Sequence, residues 1–442
     1  MHFCPMVGNG SSAAASTAPS RLSMTPSHPD QPHHLEFFAR CMDDGRVPRP
    51  PPHSLRSRGV TLACLGGVLG LVGCTAVEGT KTAISPGAAS SQRVLSWSMV
   101  PLPLGTQPRT LTALGERLLV GALAVGKTPT PRMLTLDAAG TTRQVPLTPH
   151  SGYAFETTWQ SVASDGTRVI AIGAASGGAH FNNRWTTWSG TTAGVQELPQ
   201  RFDTFGGWGA GELVSAVVTP AGEALVGTWG GAKAGLDGAV WLSSGPVWAR
   251  QDPAGTALQS TPDLLVGPRS ATSEQAGILV VGSAVHLRPG SVSRQAALWR
   301  TSAPTSTWRR LDLPQPGRSS EAVSAHCTGD HCLIAGQADG SLAMWDLTGG
   351  TPTRLAGLPS IAVGDNTPLP DPVVIGRHLV QLATDRGHAV VLTRDGSSWS
   401  LSDGPDGMPT AAALVGDHLY VILTHGSGTP ASLWETSTQA WR

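Results

Sequence analysis

From about residue 110 onward, the apolar positions of this chain come in short Leu-, Val- and Ile-rich runs. Each run is opened by a turn glycine and set off by Gly-, Ser- and Thr-rich stretches. The run recurs as GERLLVG from Gly115, GTRVIAIG from Gly166, GEALVG from Gly222, GILVVG from Gly277, GDHCLIAG from Gly329, GRHLVQLA from Gly376 and GDHLYVIL from Gly416. No long 3.6-residue apolar period accompanies these runs. They therefore predict β-strands, with tight turns at the glycines.

A second pattern keeps step with the first. A strand-like run ending in Trp or Leu ahead of a Ser/Thr-rich turn recurs at Leu136, Trp188, Trp241, Trp299, Trp345, Leu392 and Trp434. A third element, Trp308-Arg-Arg-Leu-Asp-Leu-Pro314, has weaker versions at 195–199 and 353–359. Successive turn glycines lie 40 to 56 residues apart, so the phased patterns define seven units of four short strands. Such a unit cannot bury its own faces and must stack on its neighbours, and radial stacking of four-stranded units makes a β-propeller. A two-domain β-sandwich would seldom carry so regular a phase. The expected fold is all-β, a seven-bladed propeller over residues 94–442. The seventh unit stops at Trp441-Arg442, where its fourth strand should begin, and Trp97-Ser-Met-Val-Pro-Leu-Pro103 has the spacing of Trp308 to Pro314. The N-terminal strand is therefore expected to complete the last blade and remove the open edges of the array.

Residues 1–93 read differently. Residues 1–59 are rich in Pro, Ser and His without apolar periodicity, as in a disordered leader, and a translation start at Met42 would leave a shorter segment carrying Arg46, Arg49, Arg56 and Arg58. The apolar run at 60–73 has 14 residues, too few to cross a hydrocarbon layer of about 30 Å as a helix. It closes on Leu71-Val72-Gly73-Cys74. Basic segment, short apolar segment, small residue and cysteine in that order resemble the lipobox of bacterial lipoprotein signal peptides. The resemblance implies cleavage before Cys74, a diacylglyceryl group on its sulfur, and an extracytoplasmic place in a bacterial cell envelope, anchored to the membrane by lipid. Residues 74–93 then read as the lipidated cysteine and a flexible tether.

Charge narrows the partner class. Lys and Arg number 30 against 30 Asp and Glu, and no basic cluster stands out, so nucleic acid is not an expected partner. Of the cysteines, Cys74, Cys327 and Cys332 remain after cleavage. Cys327 and Cys332 flank a hairpin turn and can face one another within disulfide range, and an oxidising compartment favours the bond. A metal reading of His326, Cys327, His331 and Cys332 fails on geometry, because His326 and Cys327 are strand neighbours pointing to opposite faces. No metal or cofactor site is expected.

The repeats resemble the sialidase-type, Asp-box class of propeller, in which Ser/Thr-x-Asp-x-Gly-x-x-Trp turns between the third and fourth strands. Thr301 to Trp308 keeps the length of the box with Ala303 and Thr305 in place of Asp and Gly, and Thr393-Arg-Asp395-Gly396-Ser-Ser-Trp399 keeps Asp and Gly but is one residue short. Residues 339–347 also resemble a WD40 third strand, in one unit only. The resemblance implies the fold across residues 95–442 and, as an alternative function, a secreted carbohydrate-active hydrolase of sialidase type. Enzymes of that type use an arginine cluster and a tyrosine nucleophile beside an acid. Here the tyrosines are Tyr153, on a loop between units, and Tyr420, in mid-strand.

Aromatic residues crowd the second unit and its flanks. In a propeller the fourth-to-first connections and second-to-third loops share one rim, the usual ligand face. Phe202, Phe205 and Trp208 lie on the connection RFDTFGGWGAG, and His180 and Trp229 on second-to-third loops. These five form the candidate ligand face for a sugar ring or another envelope protein, and are expected to be exposed together. The competing expectation is that the loops fold inward and cap the core between blades. The function expected is a membrane-anchored extracytoplasmic platform for ligand or protein binding. An acidic pair in the central channel would favour the hydrolase instead.

Overall fold

The computed structural model describes residues 94–177, 182–426 and 429–442. Cys74, and with it the leader, signal and tether expectations, lies outside the described residues. Within them the chain forms seven antiparallel sheets, the blades of a propeller. The innermost strands are Thr106–Leu114, Thr158–Ser164, Ala210–Thr219, Leu264–Glu274, Ser320–Thr328, Val373–Ile375 and Met408–Val415, numbered here as blades 1 to 7. The seventh innermost strand packs against the first. Blade 2 departs from four strands, because Leu147–Thr148 adds a fifth, parallel to Gly194–Glu197.

The ring closes as the sequence predicts. Trp97–Met99 pairs antiparallel with Ser432–Ser437, placing Trp97 opposite Thr436 and Met99 opposite Trp434. One residue further on, the Val100 amide donates to the Leu433 carbonyl at 2.8 Å. The Val100 side chain is buried between blades 7 and 1, with Leu118, Ile422 and Leu433.

Two residue types in the repeat have specific structural causes. Every innermost strand except that of blade 6 carries a register shift, as between Leu213 and Ser215 or Ala322 and Ser324. The extra residue bends the strand and presses its backbone toward the second strand. In blades 3 and 5 the residues met there are Gly227 and Gly336, where an added Cβ would stand 2.1 Å from the carbonyl oxygens of Glu212 and Glu321. These glycines close the runs GEALVG and GDHCLIAG, so a close approach explains the second glycine of the motif. The hydroxyl just after the bulge then reaches the next blade: Ser161 Oγ accepts from the Ala216 amide at 3.0 Å, and Ser215 Oγ accepts from the Ala271 amide at 2.9 Å.

The third-strand tryptophans are the other case. Trp241, Trp299 and Trp345 are fully buried. Each donates its indole N–H to a carbonyl of the connection entering its own blade: Thr204 at 3.1 Å, Ala257 at 3.0 Å and Pro314 at 2.9 Å. A large apolar ring with one donor at its edge fills the gap between blades and fixes the incoming loop.

The disulfide joins Cys327 to Cys332, paired residues on the first and second strands of blade 5 with Cα atoms 4.0 Å apart. His331 turns away and bonds to Asp346 at 3.0 Å.

Candidate functional site

Antiparallel order puts each connection into a blade and that blade's second-to-third loop on the same rim. Direct backbone bonds join them: Val125 N–H to Gly105 at 2.7 Å in blade 1, Gly230 N–H to Gly209 at 2.8 Å in blade 3, and Leu287 N–H to Asp263 at 2.9 Å in blade 4. Among the described residues, the exposed large apolar side chains lie on this rim, apart from Val94, Met99 and Val247. Blade 1 contributes Leu104 and Val125, and the turn into blade 2 contributes Tyr153 and Phe155. The connection into blade 3 carries Phe202 and Trp208, with Leu236 and Val292 on the loops of blades 3 and 4. Blades 5 to 7 contribute none among the described residues.

A cleft of about 210 Å³ opens on this rim where blades 2 and 3 meet. Its walls come from the 3₁₀ turn Gly152–Glu156, the start of strand Asn183–Thr191 and the short helix Phe202–Phe205. Tyr153 lies 44% exposed at one side. Its ring packs near Gly177, where an added Cβ would be 3.0 Å from Cε1. Across the cleft the Arg184 guanidinium stacks over the Phe202 ring at 5.4 Å. Trp185 is fixed through its indole N–H to the Gly211 carbonyl at 3.3 Å. The buried Glu197 carboxylate holds the floor, accepting from the amides of His150 and Ser151 and the Ser151 hydroxyl, each at 2.6 Å. Gln200 is similarly engaged, donating to the Leu198 and Pro246 carbonyls. With Glu197 and Gln200 committed to the scaffold, the groups left for a ligand are aromatic faces, the Tyr153 hydroxyl and the Arg184 edge.

The five residues singled out from the sequence divide. Phe202 is 64% exposed and Trp208 is fully exposed. Phe205 is not exposed: it is buried edge-on to Trp241, with centroids 5.6 Å apart. Trp229 is half-buried, meets Trp241 edge-on at 6.2 Å, and carries the Arg250 guanidinium at 4.7 Å. Core capping therefore describes Phe205 and Trp229, while Phe202 and Trp208 face solvent. Phe205 packs inward on Trp241, whereas Phe202, at the start of the same short helix, lies under the Arg184 guanidinium. His180 lies outside the described residues. Tyr153, Arg184 and Trp185, which complete the cleft, were not legible as a group because they come from separate elements of blade 2.

The central channel is a second cavity, of about 520 Å³, lined by innermost strands of all seven blades. Small hydroxyls such as Ser164, Ser273 and Thr328 dominate its polar wall, with His326 and a single carboxylate, Asp371. Asp371 is exposed to the channel, with protein packed closely around it. Burial pushes its carboxyl up to about 6, opposed by a hydrogen bond from the Ala325 amide. Burial also lowers the pKa of the His326 imidazole. Among the described residues the channel lining holds no acidic pair. Tyr420 is buried in its strand, its phenol pushed up to about 12 by burial and by Glu435, the opposite of an activated nucleophile.

No family model matches the chain, and no curated protein does. Solved structures share its architecture. The chain is similar to the β-propeller domain of the Trilobed protease from Pyrococcus furiosus, at 8% identity and TM-score 0.47, covering 77% of this chain and 97% of that one. It is similar to Trypanosoma rangeli sialidase at 11% identity and TM-score 0.42, covering 78% and 59%. It is also similar to YCF48 bound to D1 peptide, at 14% identity and TM-score 0.48, covering 78% and 99%. At such identities the likeness concerns the fold alone. Among the described residues no helix is long and apolar enough to cross a membrane.

Proposed function

We propose that this protein is an extracytoplasmic binding platform, held at a bacterial membrane by lipid on Cys74, that captures a glycan or a segment of an envelope protein on the rim of blades 2 and 3. The observation that carries the reading is the cleft itself: Tyr153, Trp185 and Phe202 offer ring faces around a small hollow whose carboxylate, Glu197, is already saturated by the scaffold. Aromatic faces with a few polar edges suit sugar rings and peptide side chains. A hydrolytic centre would need an available acid or nucleophile, and among the described residues neither the cleft nor the channel supplies a matched pair.

Phe202→Ala and Tyr153→Ala should leave the melting temperature nearly unchanged, because both side chains are substantially exposed. Capture on a glycan array, or of envelope proteins in a pull-down, should weaken by more than about 1 kcal/mol, as for an aromatic anchor. Unaltered capture by the double variant would overturn the cleft as the binding site. The anchor has its own test: labelled fatty acid should enter the protein, and Cys74→Ala should abolish the label.

A further inference from the structure

We infer that the central channel binds a small protonated amine, with the Asp371 carboxylate as its counter-ion, at a site separate from the cleft. This site goes beyond the rim reading and does not rest on it. The cavity, of about 520 Å³, is of the size that holds a small molecule. It is lined mainly by the later parts of the innermost strands, such as residues 161–164 of Thr158–Ser164 and 326–328 of Ser320–Thr328. Those strands run from the cleft rim toward the first-to-second turns, so the cavity lies nearer the opposite face.

The scaffold does not need a carboxylate at this place. In blades 2 to 5 the residue just after the bulge pairs with the residue just before the closing glycine of the run, and it is a serine each time. Ser161 pairs with Ile172, Ser215 with Val226, Ser270 with Val281 and Ser324 with Ala335. Ser161 and Ser215 each accept a single amide of the next blade. Counting on from the pair of Val373 with Val380, Asp371 takes the same place in blade 6, opposite Leu382. It too accepts one amide, that of Ala325 in blade 5. A serine would meet that need, so the charge is surplus to the fold.

Nothing built into the channel neutralises that charge. Among the described residues no Lys or Arg lines the cavity. Its other titratable group is His326, whose pKa is lowered by burial, so the imidazole is mainly neutral near pH 7. A carboxylate so enclosed is unfavourable without a cation. A metal ion fits poorly, because the described residues hold no group of three His, Cys, Asp or Glu that could ligate it. An ammonium needs one carboxylate and neutral acceptors for its remaining N–H groups. The hydroxyls of Ser270, Thr272 and Thr328 in the lining are of that kind. An anion or zwitterion would bring a second carboxylate for which the lining has no cation.

The test uses the full chain, with aminopentanol as the amine and pentanediol, in which a hydroxyl replaces the ammonium, as its uncharged control. Calorimetry at pH 7 should show aminopentanol binding about tenfold or more tightly than pentanediol. Asp371→Asn should abolish that preference. So should Asp371→Ser, which gives blade 6 the residue type of blades 2 to 5 and keeps an acceptor for the Ala325 amide. For the parent, affinity for the amine should fall about tenfold from pH 7 to pH 5, because a proton competes for a carboxyl pushed up to about 6. Protonation of His326 would act in the same direction. Phe202→Ala and Tyr153→Ala should leave amine binding unchanged. Equal binding of the two probes, or a preference that survives both Asp371 variants, would overturn the channel site. Loss of amine binding in the cleft variants would place the amine on the rim and overturn it equally.

Discussion

At the scale of single residues, the repeat is constrained where backbones come close. Gly227 sits opposite the bulge of its blade, and Gly227→Ala would drive a methyl group to 2.1 Å from the Glu212 carbonyl oxygen. Relief requires moving one strand of a fully paired sheet, so the variant should lose about 1–3 kcal/mol, read as a lowered midpoint in urea with unchanged slope. Asp371 shows a different constraint. Its carboxyl is pushed up from the ordinary aspartate range to about 6 in the folded protein, mainly by desolvation. Folding then takes up a proton at intermediate pH, so this group disfavours the folded state increasingly as pH rises from about 4 through 6, and to a constant extent above that. Asp371→Asn should therefore melt higher than the parent near pH 7.5, with the difference closing toward pH 4. An equal gain at both pH values would mean that packing, rather than charge, limits the site.

Elements add constraints that neighbouring residues alone do not show. The bond between Cys327 and Cys332 spans a sequence separation of 5 across one hairpin. Closing so short a loop removes little disorder from the unfolded chain, and replacing both cysteines with Ala should cost about 2 kcal/mol at most. Non-reducing peptide mapping of protein purified without reductant should recover the linked pair. This pairing was legible in the sequence because it depends only on a turn and a strand register. The division between Phe202 and Phe205 was not. How the connection seats against blade 3 decides which ring meets Trp241, and nothing in RFDTFGGWGAG announces that seating. The cleft was hidden for a similar reason, since its walls come from a 3₁₀ turn, a strand and a helix that only the packing of blades 2 and 3 brings together.

For the whole molecule, the phased glycines and tryptophans were enough to fix the blade count, because each blade repeats one burial problem and solves it with the same residue types. The closing strand was legible too, since Trp97 to Pro103 copies the spacing of an outer strand already seen at Trp308. Less visible were the fifth strand of blade 2, only two residues long, and the short innermost strand of blade 6, whose position in the ring comes from tertiary packing rather than its own pattern. Closure should dominate global stability. Val100→Asp places an unpaired carboxylate in the apolar seam between blades 7 and 1 and should cost more than about 3 kcal/mol. Deleting residues through Leu104 should be at least as damaging and reduce solubility. Equal melting temperatures for the parent and both variants would show that the seam contributes nothing to holding the ring.

The pairing of Trp97 with Thr436 also sets an order in time. The first strand of the ring to leave the ribosome is the last to find its partner. At the usual pace of synthesis the wait is on the order of half a minute. Throughout it Val100 and its neighbours have no seam to enter, and blade 7 lacks its outer edge. A nascent chain in this interval presents a bare strand at each end, suited to pairing with the wrong copy of itself. Export in an unfolded state, with the ring assembled only after the last residue has arrived, would avoid that hazard. The order of the gene thus places the burden of correct assembly on whatever keeps the chain extended until it is complete.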